Sequence, residues 1–280
     1  MVDLVFMLNK VLLIAALLYP GLQAWAEPTH PVDTDSLKIP YLLSHDVNHE
    51  DYYFYELLRL ALAPKGSEAV AIEPQQQWVR DQRLRLALQQ GDIDILWSQT
   101  SIEFERQMLA VKVPLLKGLS QYRLLLIRAG EQSRFNPIKS LKDLAQLRGG
   151  MGSQWPDVAL MEANGLQLVT ATGYGKLFRM LAEKKFDYFS RGIYQIQSEV
   201  HFYPTLPLAI EQRLLLRQRG AMYFFVASGR VELAKQIEQG LQVAQRDGSF
   251  DRLFNSVPRY RWAMSELERG GRRILELRSK

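Results

Sequence analysis

From Leu37 onward the chain alternates short, strongly apolar runs with stretches whose apolar positions recur at helical spacing, and this alternation restricts it to an α/β architecture. Strand-sized runs fall at residues 37–43, 69–72, 93–97, 121–128, 166–170, 186–189 and 221–227. Between them Glu50–Leu62 carries Tyr53, Leu57, Leu60 and Ala61 on one helical face, and residues 75–90 make a second helix closed by Gly91. Shorter helices are predicted at 103–110, 141–147, 176–183 and 250–255, and one runs from Pro156 to Asn164, where the proline suits a first turn. Val231–Arg246 is the most strongly periodic helix and stops at Asp247-Gly248. Pro40 places the first strand near an edge or a bend.

The first residues read as an export signal. Lys10 precedes an apolar run from Val11 to Leu18, Pro20-Gly21 breaks any helix, and Ala24-Trp25-Ala26 puts small residues where signal peptidase needs them. Cleavage is predicted after Ala26, giving a 1–26 signal peptide and a mature chain starting at Glu27. Residues 11–26 are short for a bilayer span of ~20 residues, and no later segment reaches ~18 uninterrupted apolar residues. Cysteine is absent. A mature chain of roughly 250 residues buries enough apolar surface to fold without disulfides. Without a cysteine there is also no lipid-attachment residue. The expected location is therefore the periplasm.

Charge and motifs exclude several functions. A net charge of +5 with a pI near 9.3 is modest and is explained by lysines and arginines on helix faces, so no nucleic-acid partner is expected. Only four histidines are present and no Gly-x-Ser-x-Gly elbow occurs. Asp92 and Asp94 project from one side of a strand and do not make an acid/base pair. The run Gly149-Gly150-Met151-Gly152 lacks the spacing of a nucleotide fingerprint. His45 and His49 lie four apart among carboxylates, a conceivable zinc spacing. Asp46 or Asn48 is expected to cap the following helix, so the two rings need not share a face. No metal, no cofactor and no enzymatic activity are expected.

Residues 86–106, with Gly91-Asp92-Ile93-Asp94-Ile95 followed by Thr100 and Arg106, resemble the type 2 periplasmic solute-binding proteins, especially those serving polar amino-acid transporters. Downstream, Ser140-Leu141-Lys142-Asp143-Leu144 with Gly152-Ser153-Gln154 resembles that family's entry to the second lobe. Lys184-Lys185-Phe186-Asp187 resembles its helix-to-strand passage, and Asp247-Gly248-Ser249-Phe250-Asp251 its last helix pair. The motifs are collinear over nearly all of the mature chain.

The resemblance implies a two-lobed α/β fold with a hinge and an interlobe cleft. The first lobe would comprise 27–120 and 219–280, and the second 121–218. It implies a small-molecule ligand held in the cleft, a monomeric chain, and an inner-membrane ABC permease or a sensor as partner. It implies that Arg106 grips a ligand carboxylate, a role suited to a planar guanidinium fork. Trp97, Ser98, Gln99, Thr100 and Ser101 would line the same wall, Ser153 and Gln154 would face it before a helix N-terminus, and Tyr52 and His45 would reach it from the turn after the first strand. One departure stands out. Amino-acid-binding relatives hold the ligand's ammonium with an aspartate where this chain has Gly192, next to Arg191. If Arg191 points into the cleft rather than to solvent, two arginines would favour a small anion with more than one acidic group.

Overall fold

The structure is a computed structural model describing residues 36–46, 49–63, 70–77 and 81–278. The signal sequence, its cleavage site, the leader to Asp35 and the candidate cap Asn48 lie outside the described residues.

The first half of the described chain runs β1 (Leu37–Ile39), α1 (Glu50–Leu62), β2 (Ile72–Pro74), α2 (Asp81–Gln90), β3 (Ile95–Gln99), α3 (Ile102–Gln107), β4 (Met108–Val111) and β5 (Tyr122–Arg128). It continues through α4 (Leu141–Leu144), β6 (Arg148–Gly152), α5 (Asp157–Ala163), β7 (Gln167–Ala171), α6 (Tyr174–Ala182), β8 (Tyr188–Gly192) and α7 (Ile196–Phe202). It ends with β9 (Leu208–Ile210), β10 (Leu214–Arg217), β11 (Met222–Ala227), α8 (Val231–Arg246), α9 (Ser249–Ser256), α10 (Pro258–Arg269) and β12 (Arg273–Glu276).

Among the described residues three sheets form. β1 and β2 pair in parallel, β11 lies antiparallel between β3 and β4, and a seven-stranded sheet has the order β12-β10-β5-β8-β6-β7 with β9 also on β5. The chain leaves the small sheets through a single 3₁₀ turn at Leu119–Gln121 and returns between β10 and β11. β12 then rejoins the large sheet, parallel to β10 from Leu214 opposite Arg273 to Arg217 opposite Glu276. The end of the chain thus does not stay with the small sheets, as an undivided 219–280 segment would. Leu275 and Leu277 are apolar and buried against Leu214 and Leu216, and that burial draws the last strand across.

Other differences have local causes. The expected helix at 103–110 stops at Gln107, because Met108 is extended and residues 108–111 pair with Ala227, Val226, Phe225 and Phe224 of β11. A four-residue apolar run suits a helix or a strand equally, and here the partner decides. The first strand stops at Ile39, before Pro40, which has no N–H for the ladder. The cap of α1 is His49, without a side-chain hydrogen bond.

The largest apolar cluster is shared between the sheets. It joins Tyr53, Phe54 and Leu57 of α1, Leu124 and Leu126 of β5, Phe178 of α6, Phe189 of β8 and Tyr260 of α10. Among the described residues no helix is long and apolar enough to cross a membrane.

Candidate functional site

β3 and β8 both end at one edge of their sheets, and β5, antiparallel to β8, begins there, with Arg123 opposite Gly192. β6 ends at the same side, with Gly150 opposite Phe189. In open α/β sheets such strand ends are where ligands gather. A cavity of about 360 Å³ lies here. Trp97, Ser98 and Gln99 of β3, Asp51 of α1, Arg85 of α2 and Met222 of β11 line one side. Arg123, Gln154, Trp155, Asp157, Arg191 and Gln195 line the other.

The second wall is built around two buried arginines. A cation in the middle of a sheet must bring its own counter-charge and acceptors. Arg123 does so by donating from Nε to the Ser190 hydroxyl at 3.0 Å, from one terminal nitrogen to the Ser190 carbonyl at 2.9 Å, and from the other to Asp157 at 2.8 Å. Arg191 donates from Nε to both carboxylate oxygens of Glu199, each at 2.9 Å, and Glu199 also accepts the Tyr174 hydroxyl at 2.6 Å. Burial works against the charge on Arg191, but the Glu199 carboxylate outweighs it and holds the guanidinium pKa above its ordinary value. The Arg191 guanidinium also lies 4.7 Å from the Trp155 ring, 5.1 Å from Phe189 and 5.4 Å from Tyr174, a cation set among aromatic faces.

Trp155 is held by Phe189, whose ring is nearly parallel at 5.9 Å, and Trp97 rests against Phe54 at 5.6 Å. Each tryptophan is half-buried, so part of its surface meets the cavity. Gly152 lets Trp155 sit where it does, because a Cβ on residue 152 would come within 2.5 Å of the indole.

Of the residues expected from the sequence, Trp97, Ser98, Gln99, Gln154 and Arg191 line the cavity together. Ser101 caps α3 by accepting the Phe104 N–H at 3.2 Å, and the Thr100 hydroxyl donates to Glu105 at 2.6 Å, so both serve the turn. Ser153 is exposed beside the cavity, its N–H donating to the Ala171 carbonyl. His45 is exposed and packs edge-on against Tyr52 at 5.7 Å, and Tyr52 stacks on Tyr55 at 5.6 Å; neither is in the cavity lining. Arg106 is exposed on α3 and is likewise outside the lining. Asp94, set aside as a catalytic acid, accepts the Lys38 N–H at 2.8 Å and pairs with Arg230 at 3.0 Å. Among the described residues no group of three or more His, Cys, Asp or Glu is placed to hold a metal ion.

Arg123, Asp157, Tyr194 and Gln195 were not singled out in the sequence. The available signal was an arginine directly before the apolar run Leu124–Ile127, where an unpaired buried charge is intolerable.

No protein-family model matches the chain, and no curated protein matches its sequence. Solved structures do match. An ancestral arginine-binding protein bound to arginine aligns with a TM-score of 0.61 at 17% identity, over 79% of this chain and 97% of that one. The amino acid ABC transporter substrate-binding protein AbpA from Streptococcus pneumoniae, bound to L-arginine, aligns at 0.61 and 15% identity over 82% and 96%. A histidine kinase sensor domain with similarity to periplasmic binding proteins aligns at 0.60 and 16% identity over 80% and 96%. The chain has the two-lobed fold of the type 2 periplasmic binding proteins, with the cavity on the side where its sheets meet.

Proposed function

We propose that this chain is an exported solute-binding protein that captures a small polar ligand between its lobes. The observation that carries the reading is the cavity itself, lined from both sides by residues that come before and after the passage at Leu119–Gln121. A volume of about 360 Å³ suits a solute of metabolite size. In this reading 27–120 and most of 219–280 form the first lobe, and 121–218 with β12 form the second. The lobes hinge about the connecting segments. In this reading the protein works as a monomer in the periplasm, where an inner-membrane ABC permease would receive the ligand.

The carboxylate-gripping role of Arg106 rests on motif position alone, since the side chain is exposed and outside the cavity lining. Trp97, Ser98, Gln154 and Arg191 support a ligand contact directly.

The test is thermal unfolding against a broad set of amino acids, organic acids, nucleosides, sugars and short peptides. A ligand at ~100 times its Kd adds about 2.7 kcal/mol of stability. We expect one class to raise Tm, and Trp155→Ala or Gln154→Ala to reduce the shift. A shift that both variants leave intact, or no shift from any compound, overturns the cleft assignment.

A second reading, a sensory module that presents its ligand to a signalling partner, is favoured by the likeness to the histidine kinase sensor domain. Interaction of the ligand-loaded protein with a permease, or with a sensor's extracytoplasmic face, separates the two.

A further inference from the structure

We infer that the cleft selects an uncharged, ring-bearing polar solute rather than an acid or an amino acid. The inference rests on the cleft being the ligand site and adds the class of ligand that the site takes.

Charge is the first argument. The arginines on the cavity wall are Arg85, Arg123 and Arg191, and the carboxylates that line it or pair directly with it are Asp51, Asp157 and Glu199. The set is matched. Arg191, which would have made the site anionophilic, is bound bidentately by Glu199 and hemmed by Trp155, Tyr174 and Phe189, so its charge is already answered within the lobe. Arg123 directs its guanidinium at Ser190 and Asp157. A carboxylate entering this wall would lose its hydration without gaining an unanswered cation from either buried arginine. It would also approach Asp157. An entering ammonium meets the converse difficulty at Arg123.

Other polar groups at the cavity are of a different kind. Gln99 and Gln154 bring amides to the cavity, and the Ser98 hydroxyl beside them donates to the Gln99 carbonyl at 3.2 Å. Amides both donate and accept, so they match hydroxyl, carbonyl and ring-nitrogen edges without preferring either charge. The amide nitrogen of Gln99 is buried and has no acceptor among the described residues. An orphaned buried donor calls for a partner, and a ligand acceptor oxygen would satisfy it.

Shape completes the argument. Trp97 and Trp155 reach the cavity from opposite walls, each braced behind by an aromatic ring. Rigid, half-buried indoles of this kind offer apolar faces to a ring whose rim carries the hydrogen bonds. Paired indoles with amides between them suit a nucleoside or an amide-bearing sugar ring.

Isothermal titration calorimetry of the purified protein tests this with uridine and N-acetylglucosamine as uncharged ring probes, against L-glutamate, succinate, L-arginine and L-glutamine. We expect an uncharged probe to bind with a Kd that changes less than about twofold between low salt and about 1 M, where exposed charges are screened within ~3 Å. Trp155→Ala and Gln154→Ala should each weaken it, the latter at an exposed position where folding is not at stake. Binding confined to an acid, to arginine or to glutamine, and weakened by those variants, overturns the inference while leaving the cleft as the site. Binding of any probe that neither variant weakens overturns the cleft reading with it. No binding by either uncharged probe overturns the inference.

Discussion

Arg191 and Glu199 form a two-pronged ion pair, both Nε contacts at 2.9 Å, with each side chain more than nine-tenths buried. The pair links the end of strand β8 to the first turn of α7 and sets the floor on which Trp155 lies. Its energetic meaning is in the removal of one partner, not in the pair's net worth. Removing a single member of a buried pair strands the other charge.

Glu199→Gln is therefore expected to cost about 3–5 kcal/mol in urea unfolding. Most of that cost is the uncompensated Arg191, so Arg191→Met on the Glu199→Gln background should recover part of it. An isolated Glu199→Gln loss below about 1 kcal/mol, the value of an exposed pair, would refute the buried role.

Gly152→Ala tests the wall without touching a polar group. The added Cβ would meet the Trp155 indole at 2.5 Å, so the ring must turn away from Phe189 and Arg191. An aromatic contact of this kind is worth ~0.5–1.5 kcal/mol, so ligand affinity should drop by up to about tenfold. Near-ultraviolet circular dichroism would report the moved indole. Unchanged affinity and an unchanged spectrum would show that Trp155 is free to shift without consequence.

Acid should weaken the fold through a cluster far from the cleft. Hydrogen bonds from Arg128, assisted by Arg134 and opposed by burial, bring Glu131 from its ordinary 4.5 to about 2. Burial opposes ionisation of Asp187, yet the Arg148 N–H and the Arg134 guanidinium outweigh it and lower that pKa too. Both folded-state values lie below the unfolded ones. The stabilisation is complete above about pH 4.5 and is lost as pH falls toward 2. Denaturant midpoints should fall steeply across that window, and Glu131→Gln should flatten the dependence while lowering stability at neutral pH. Equal pH slopes for the two proteins would remove Glu131 from the account.

How far the sequence disclosed this molecule depends on whether a signal was local. Glu50–Leu62 and Val231–Arg246 were read with the bounds they have, because amphipathic periodicity over three or more turns is a property of the segment itself. β4 was not, since Met108–Val111 becomes a strand only through β11. β9, β10 and β12 are three or four residues each and depend on neighbours distant in sequence. The site divides the same way. Trp97, Ser98, Gln154 and Arg191 follow from motif position, but the charge state of the wall depends on Arg123 meeting Asp157, 34 residues away, and on Arg191 meeting Glu199 across a helix start. The sequence named Arg191 as a candidate but left open whether it faces the cleft or solvent; its neutralisation was visible only once the fold brought Glu199 to it.

Two glycines should respond oppositely to the same substitution. Gly240 sits mid-way along α8, where a Cβ would come 1.7 Å from the Ala61 carbonyl oxygen of α1. The obstacle is backbone, so neither a rotamer change nor a small side-chain shift relieves it, and the two helices must separate. Overpacking of this kind costs ~1–3 kcal/mol or more, which exceeds the ~1 kcal/mol that alanine gains over glycine in a helix. Gly240→Ala is thus expected to lower Tm and to disturb the cluster of Tyr53, Leu57 and Ile237 that α1 and α8 share. Gly229, in the turn before α8, has open space where its Cβ would stand. Gly229→Ala should be neutral or stabilise by up to about 1 kcal/mol through the unfolded chain. Parallel thermal melts decide the matter: equal effects from the two substitutions would mean that α8 does not pack against α1 at the distance the structure gives.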